Sequence, residues 1–519
     1  DAYMTGSDKV WSFSCNAGYD PAKILFLLFI STSLLMQAKE VALTFNDPSE
    51  FYKDYRFSEG IEGKALDISR AAYHRNPVTV HQIDSVDMAG SFSISIWLKS
   101  ASENVGWKGI VSNKMSYDMK DAGFMISTQE NGSWAVYFTD GKNWQWDYRP
   151  TAKRQPVNDG KWHFLAITHF AEKDEMKMYY DGKNVATYCT NGNKNLATGN
   201  PVRIGNHVDN QWNSFNGMLD QFRFTDRVRS SEEIAEEYFR HTGIRQEDNL
   251  PRFTPEINLM AFNIFHGGHE LGEQVGVERV VEVIKGAKAD VIGMIETYGA
   301  GAEIADALGY YFYLRSSNLS IMSKYPIEQT WDMFQPFNTC AATIRISQTQ
   351  TFNYVNLWLD YRPITDEQIR ARMTVAEMEK GELPTRYREL SAIMEDMKPF
   401  FDREEVPLFV SGDFNSGSHL DWTEEAKHLF GGYVFKWPTS VLMEQKGFKD
   451  SYRELHPDPV KYPCLTWSTM SKLDLQYRID FIYYKGKKVK AVRSEMIDSH
   501  PVRFPSDHAA MITTFKFKK

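Results

Sequence analysis

The spacing of apolar residues along this chain changes its rule once, and that change limits the fold more than any single motif does. Between residues 41 and 241 apolar positions alternate with polar ones, as in SFSISIWLKS (91–100), GSWAVYFTD (132–140), WHFLAITHF (162–170) and MKMYYDGKNVATY (176–188). A period of two sends successive side chains to opposite faces, so these segments are predicted strands. DGK recurs at 140–142, 159–161 and 181–183, each time where a hairpin turn is expected. SSEEIAEEYFRH (230–241) closes the block as a short helix, with Ser230 or Ser231 as cap and acids in its first turn. TGIRQEDNLPRFTPE (242–256) is polar, carries two prolines, has no period, and is read as a linker.

Beyond it strands and helices alternate. INLMAFNIF is a strand. In GVERVVEVIKGAKAD, Val277, Val280, Val281 and Ile284 share one helical face. VIGMIE, LSIMSKYPI, TCAATIRIS, FNYVNLWLD, VPLFVSGDFN, LQYRIDFIYYKG, KVKAVRSEMI and HAAMITTFKF read as strands, EIADALG and TRYRELSAIMEDMKPFF as helices. Strands outnumber helices, and turns alone separate several of them. That predicts mixed sheets packed face to face with helices outside.

The length of 519 residues implies two or more domains. A net charge of −9 argues against a general nucleic-acid-coating protein. The four cysteines, Cys15, Cys189, Cys340 and Cys464, form no CxxC pair, which argues against a zinc ribbon or a thioredoxin-like site. KILFLLFISTSLLMQA (23–38) has the pattern of a secretory signal and is short for a membrane span. Residues 1–40 are therefore read as an export-signal region, and the chain as periplasmic, cell-surface or secreted. The segment upstream of the apolar run is read as an extension foreign to the signal. No other stretch is long and apolar enough to span a bilayer.

Polar residues interrupt or end the apolar strands of the second half. Asn263 breaks LMAFNIF, Glu296 ends VIGMIE, and Asp413 and Asn415 end LFVSGDFN, on one strand face if the strand continues. Asp480 interrupts YRIDFIYY, and Asp507 and His508 precede AAMITTF. A buried polar group costs several kcal/mol unless bonded or coordinated. One such residue is ordinarily a satisfied core group. A set from several strands, each near a strand end, points to one shared site.

AFNIF, VIGMIE, SGDFNS, YRIDFIYY and PSDHAAM occur in the order of the endonuclease/exonuclease/phosphatase family, which residues 257–519 resemble. The resemblance implies a four-layer α/β sandwich of two mixed sheets flanked by helices, and a phosphoric-ester hydrolase dependent on Mg²⁺ or Mn²⁺. Glu296 would hold the metal, with Asn263 beside it and Asp507 as a second acid. Asp413 would orient and deprotonate water, and Asn415 would hold the water or a phosphate oxygen. His508 would donate to the phosphate, with Asp480 fixing its tautomer. HGG (266–268), SHLDWT (418–423) and DSYRELHPDP (450–459) fit the same domain without an assigned chemistry. One position departs from the pattern: the family strand matching YVNLWLD usually carries a polar residue, often His, where this chain has Trp358. An acid for the leaving group would then come from His266, Tyr361 or Arg362, or would not be needed.

The order of fSiSiWlK, DGKWHflait, YYDGK, RIGN and FNGMLDQFRFTDRVRSSEEI makes residues 41–241 similar to laminin-G-like, concanavalin-type jelly rolls. That resemblance implies an all-β sandwich for targeting or support, with a glycan as one partner. It also offers Asp220 as a Ca²⁺ ligand, a turn cap being the equal alternative. The leading expectation is an exported phosphodiesterase or phosphatase acting on a phosphate-ester substrate. The alternatives are an extracellular deoxyribonuclease, disfavoured because the one dense lysine run, YYKGKKVKAV (483–492), reads as a hairpin turn, and a binding protein whose hydrolase-like domain is inactive.

Overall fold

A computed structural model describes residues 38–518 except 48–54, 70–76, 81, 84–87, 102–105, 115–119, 143–144, 193–195, 207–213, 247, 402, 404 and 471–474. The apolar run expected to direct export lies outside the described residues up to position 37. No helix among the described residues is long and apolar enough to cross a membrane.

The alternating half forms a jelly-roll sandwich. One layer contains Phe92–Ser100, Trp162–Phe170, Glu175–Tyr180, Lys183–Cys189 and Gly217–Thr225; the other contains Gly109–Ser112, Gly123–Thr128, Trp134–Thr139 and Gln145–Tyr148. Ile94, Ile96 and Leu98 from the first meet Phe124, Ile126 and Val136 from the second in one apolar core. Helix Ser231–Thr242 follows, its Ser230 side chain accepting the Glu233 N–H while the Glu233 carboxylate accepts that of Ser230. That is a capping box, with Ser230 as the cap of the two serines.

Two of the three DGK segments make hairpins. The third, at 159–161, does not, because the strands on either side of it lie in different sheets. Its aspartate has another task. Buried His163 sits between two such turns, with Nε2 2.9 Å from Asp159 Oδ1 and Nδ1 3.0 Å from Asp181 Oδ2. Burial alone would lower the imidazole pKa, but bonding to Asp181 and Asp159 raises it above its ordinary value. A histidine raised in the folded state stabilises fully below its unfolded pKa of about 6.5, and that stability is lost as pH rises through the folded value. Melting temperature is therefore expected to fall as pH rises above about 6.5, and His163→Gln to flatten that fall. An unchanged slope in the variant would reject this assignment.

The second half builds two more six-strand arrays. The first runs Tyr311–Leu314, Leu319–Ser323, Val291–Ile295, Glu256–Asn263, Ala510–Phe517 and Val489–Ile497. The second runs Ile327–Trp331, Thr339–Arg345, Thr351–Trp358, Leu408–Asp413, Asp480–Lys485 and Lys449–Asp450. Both are mixed: Glu256–Asn263 runs parallel to Val291–Ile295, and Thr351–Trp358 parallel to Leu408–Asp413. Leu259, Ile295, Tyr354, Phe409 and Phe515 fill the space between them. Helix Glu273–Ala287 covers one outer face and Arg388–Asp396 the other, completing four layers. The long helix expected at TRYRELSAIMEDMKPFF is broken into a π-turn, Leu383–Tyr387, then Arg388–Asp396 and Lys398–Phe401.

The two halves are not beads on a tether. Lys183–Cys189, the edge of the jelly-roll layer, pairs in parallel with Tyr311–Leu314, joining Thr187 to Tyr313 and Tyr188 to Leu314. Eight strands from one half and six from the other thus share a 14-stranded sheet. Tyr188 packs edge-on against Phe312. The Gln155 amide and the Thr151 hydroxyl donate to Asp306, and Thr330 donates to Glu175. The segment read as a linker is also tied down: the Gln348 N–H donates to the Pro251 carbonyl at 2.9 Å and the Thr254 N–H to Gln350 Oε1 at 2.6 Å.

Candidate active site

Three strands of the second array end side by side. In register, Trp358 pairs with Asp413 and Asp413 with Asp480. Gly412 makes this approach feasible. Its φ is 146°, and a Cβ there would lie 1.9 Å from the Leu357 carbonyl oxygen. The facing array brings Asn263 and Glu296 to the same rim, since Asn263 pairs with Ile295. Asn356 bridges the two arrays from below, donating to the carbonyls of Met294 (2.9 Å) and Ser320 (3.2 Å).

Six of the expected residues converge here. The Asn263 amide, fully buried, donates to Glu296 Oε1 and to Asp413 Oδ2, each at 3.3 Å. His508 Nδ1 lies 2.9 Å from Asp480 Oδ2, and its Nε2 lies 3.9 Å from Asp413 Oδ2 and 3.9 Å from Asp507 Oδ1. Glu296 Oε2 accepts the backbone N–H of His266 at 2.8 Å. The Ser506 hydroxyl ties the last motif to the first, donating to the Asn263 carbonyl while accepting the His508 N–H.

Family models match both halves: residues 74–235 the concanavalin A-like lectin/glucanases superfamily, and residues 260–508 the endonuclease/exonuclease/phosphatase family. The C-terminal half is an endonuclease/exonuclease/phosphatase family domain. An uncharacterized Caenorhabditis elegans protein is 27% identical over 292 residues, covering 50% of this chain and 91% of that one. Solved structures similar to this chain include truncated Caenorhabditis elegans TDP2 (18% identity, 52% of this chain, 100% of that one, TM-score 0.36). An AP endonuclease from Archaeoglobus fulgidus is another (15% identity, 51% of this chain, 100% of that one, TM-score 0.37). A third is a Bacteroides thetaiotaomicron mannosyl-6-phosphatase (15% identity, 50% of this chain, 100% of that one, TM-score 0.35).

The electrostatics of the phosphatase-family domain follow from burial and crowding. Burial pushes the Asp413 carboxyl up to about 7, against the opposing pull of the His508 charge. Burial would push His508 down, but the Asp480 and Asp413 carboxylates hold it up at about 10. The imidazole is thus a held cation with carboxylates at both ring nitrogens. Asp413, Asp480 and His508 bring ligand atoms within 4.8 Å of one another. A protonated imidazole donates from both ring nitrogens and does not ligate a metal. Glu296, Asp507 and Asp413 then offer hard oxygens, which suit Mg²⁺ or Mn²⁺. Two buried carboxylate oxygens, Asp480 Oδ1 and Asp507 Oδ1, have no hydrogen-bond partner. Four carboxyl groups face one imidazole here, and a divalent cation would offset the negative charge they carry when ionised.

Some expectations need correction. Asp480 begins its strand instead of interrupting it. Asn415 lies beyond its strand, in a left-handed conformation with φ 48°, so strand alternation does not place it. Its backbone N–H donates to Asp413 Oδ1 at 2.9 Å and its side-chain amide to the Leu359 carbonyl at 2.9 Å. It shapes the turn around Asp413. Asp220 is far from this chemistry in the fold, and its carboxylate accepts the backbone N–H groups of Ile61, Glu62 and Gln221. These bonds give it the turn-organising role that was the alternative to Ca²⁺ ligation. His266 stands at the rim with its ring 2.7 Å from Glu270, and Tyr361 and Arg362 are exposed. Cys189, Cys340 and Cys464 are free and buried.

Two of the three motifs without an assigned chemistry, SHLDWT and DSYRELHPDP, turn out to hold Arg478. This guanidinium, buried two residues before Asp480, bonds Asp421 of SHLDWT (Nε, 3.0 Å) and Asp450 of DSYREL (Nη2, 2.6 Å). Arg453 joins Asp421 as well. Removing Arg478 leaves the buried Asp450 carboxylate without its cation and Asp421 with Arg453 alone, at a cost of about 3–5 kcal/mol. Arg478→Met is expected to lower stability by about that amount in denaturant unfolding. A loss below about 1 kcal/mol would show that the network adds little.

Proposed function

We propose that this protein is a divalent-metal-dependent phosphoric-ester hydrolase, exported, with the jelly roll as a rigid support. The observation that carries the reading is the Asn263 amide between Glu296 and Asp413, with the His508–Asp480 pair alongside. A divalent cation held by Glu296 and Asp507 would draw charge from a phosphoryl oxygen. Asp413 takes a proton from water as the water oxygen bonds to phosphorus. The ester P–O bond breaks, and its electron pair leaves on the departing oxygen. His508, fixed by Asp480, donates a hydrogen bond to a non-bridging oxygen as charge builds there. Asn263 keeps the two carboxylates in register. The apolar run at 23–38 supports export, and cell fractionation checks it: protein retained whole in the cytosol would count against that part.

The test is turnover of a chromogenic phosphodiester, a chromogenic monoester and plasmid DNA, with Mg²⁺, Mn²⁺ or EDTA. Activity on at least one substrate, lost with EDTA and regained with metal, is expected. No turnover under any divalent metal would favour a binding protein with an inactive domain. Glu296→Gln is expected to raise the metal concentration needed for half-maximal rate by roughly 10–100-fold; an unchanged metal requirement would move the cation elsewhere.

A further inference from the structure

This inference rests on the phosphoester reading above and names the kind of ester. Residues paired across neighbouring strands point to one face. Trp358, in register with Asp413, therefore shares the rim with the reacting carboxylates. Phe337 stands edge-on to the Trp358 ring at 5.4 Å, and Tyr361 lies 6.4 Å from it. Phe337 is 40% exposed and Tyr361 49%. Aromatic surface left open to water beside a reacting centre is costly unless something covers it.

These rings are also fixed in place. The Asn338 carbonyl accepts the Trp358 N–H at 3.0 Å, and its side-chain amide donates to the Trp358 carbonyl at 3.0 Å. Asn318 donates to the Phe337 carbonyl at 2.9 Å while its side-chain oxygen accepts the Glu296 N–H at 3.1 Å. One side chain thus sets both the aromatic turn and the proposed metal carboxylate. Buried Arg386, paired with Glu382, donates to the carbonyls of Asp360 (2.9 Å) and Tyr361 (3.0 Å) and holds the second loop. Open, rigid rings beside the chemistry are what a preorganised binding surface requires.

We propose that Phe337, Trp358 and Tyr361 form a stacking wall for a planar aromatic ring carried by the phosphoester, either an aryl group or a nucleobase. Such rings meet aromatic side chains edge-on or offset, with a gain that a saturated group of equal charge does not match. Arg362, its guanidinium 5.3 Å from the Tyr361 ring, braces the outer end.

Binding of phenyl phosphate, adenosine 5′-monophosphate and ribose 5-phosphate to the metal-loaded protein, read by calorimetry and by inhibition of turnover, tests the wall. The ring-bearing phosphates are expected to bind roughly tenfold more tightly than ribose 5-phosphate. Preference for phenyl phosphate alone assigns an aryl ester; preference for the nucleotide assigns a nucleobase. Phe337→Leu and Tyr361→Leu, checked for an unchanged melting temperature, are expected to shrink the difference to less than about threefold. Equal binding of all three, or a full difference kept in both variants, would overturn the wall. Calorimetry needs no turnover, so absence of hydrolysis sinks the catalytic reading without deciding this one.

Discussion

Replacing Asp413 with asparagine will lower phosphoester turnover by roughly 10²–10⁴-fold and leave the fold in place. The amide matches the carboxylate in size. Its oxygen can still accept the Asn415 N–H that now reaches Asp413 Oδ1. What it cannot do is take a proton from water. The parent carboxyl is suited to that task because burial raises it above the ordinary carboxylate range and so strengthens it as a base. The amide nitrogen then faces the Asn263 donor and the His508 ring, a loss that removal of a charge held against desolvation offsets, so the melting temperature should stay within a few degrees. Steady-state rates with the best ester of the panel, beside a thermal melt, check both halves. A variant keeping more than about a tenth of the rate would place the base elsewhere.

The second large effect concerns the seam. Full-length protein is expected to melt in a single cooperative transition, and residues 244–519 alone to be insoluble or unfolded. Removing the jelly roll uncovers the edge of Tyr311–Leu314, a buried strand whose backbone now pairs with Thr187 and Tyr188. An open edge of that kind invites pairing between chains. It also exposes Phe312, which packs on Tyr188, and takes from buried Arg315 its contact with Cys189. Asp306 loses its donors Thr151 and Gln155. Calorimetry of the whole chain and solubility of the fragment read this directly. Two separated transitions, or a soluble active fragment, would show that the halves stand independently.

Much of this arrangement is legible in the sequence because it depends on local period and on residue type. Alternation in SFSISIWLKS and WHFLAITHF marks strands that the structure contains. The polar residues at strand ends converge because buried acids persist where partners or ions satisfy them. What escapes the sequence is set by long-range geometry. Asp421, Asp450 and Arg478 lie in three separate motifs, and no spacing rule joins them. Asn318 and Ser506 are unremarkable letters whose roles depend on which carbonyl or N–H lies opposite. The break at Leu383–Tyr387 contains Pro384 and a non-helical Thr385, a disruption that apolar period alone does not register. The strand pairing at the seam depends on backbone groups common to all residues, so composition carries no trace of it. Asp159 is the converse case: a turn motif that reads as a hairpin serves instead to hold His163.

Glu296 and Asn415 both leave their strands with positive φ, 56° and 48°. That region excludes side chains branched at Cβ and favours Gly, Asn and Asp. Saturation libraries at these two codons should therefore return few well-expressed clones, mostly with those small or amide-bearing replacements. Natural drift there passes through the same narrow gate, so the chemistry of this rim can be altered more readily by exchanging its neighbours than by editing those two letters.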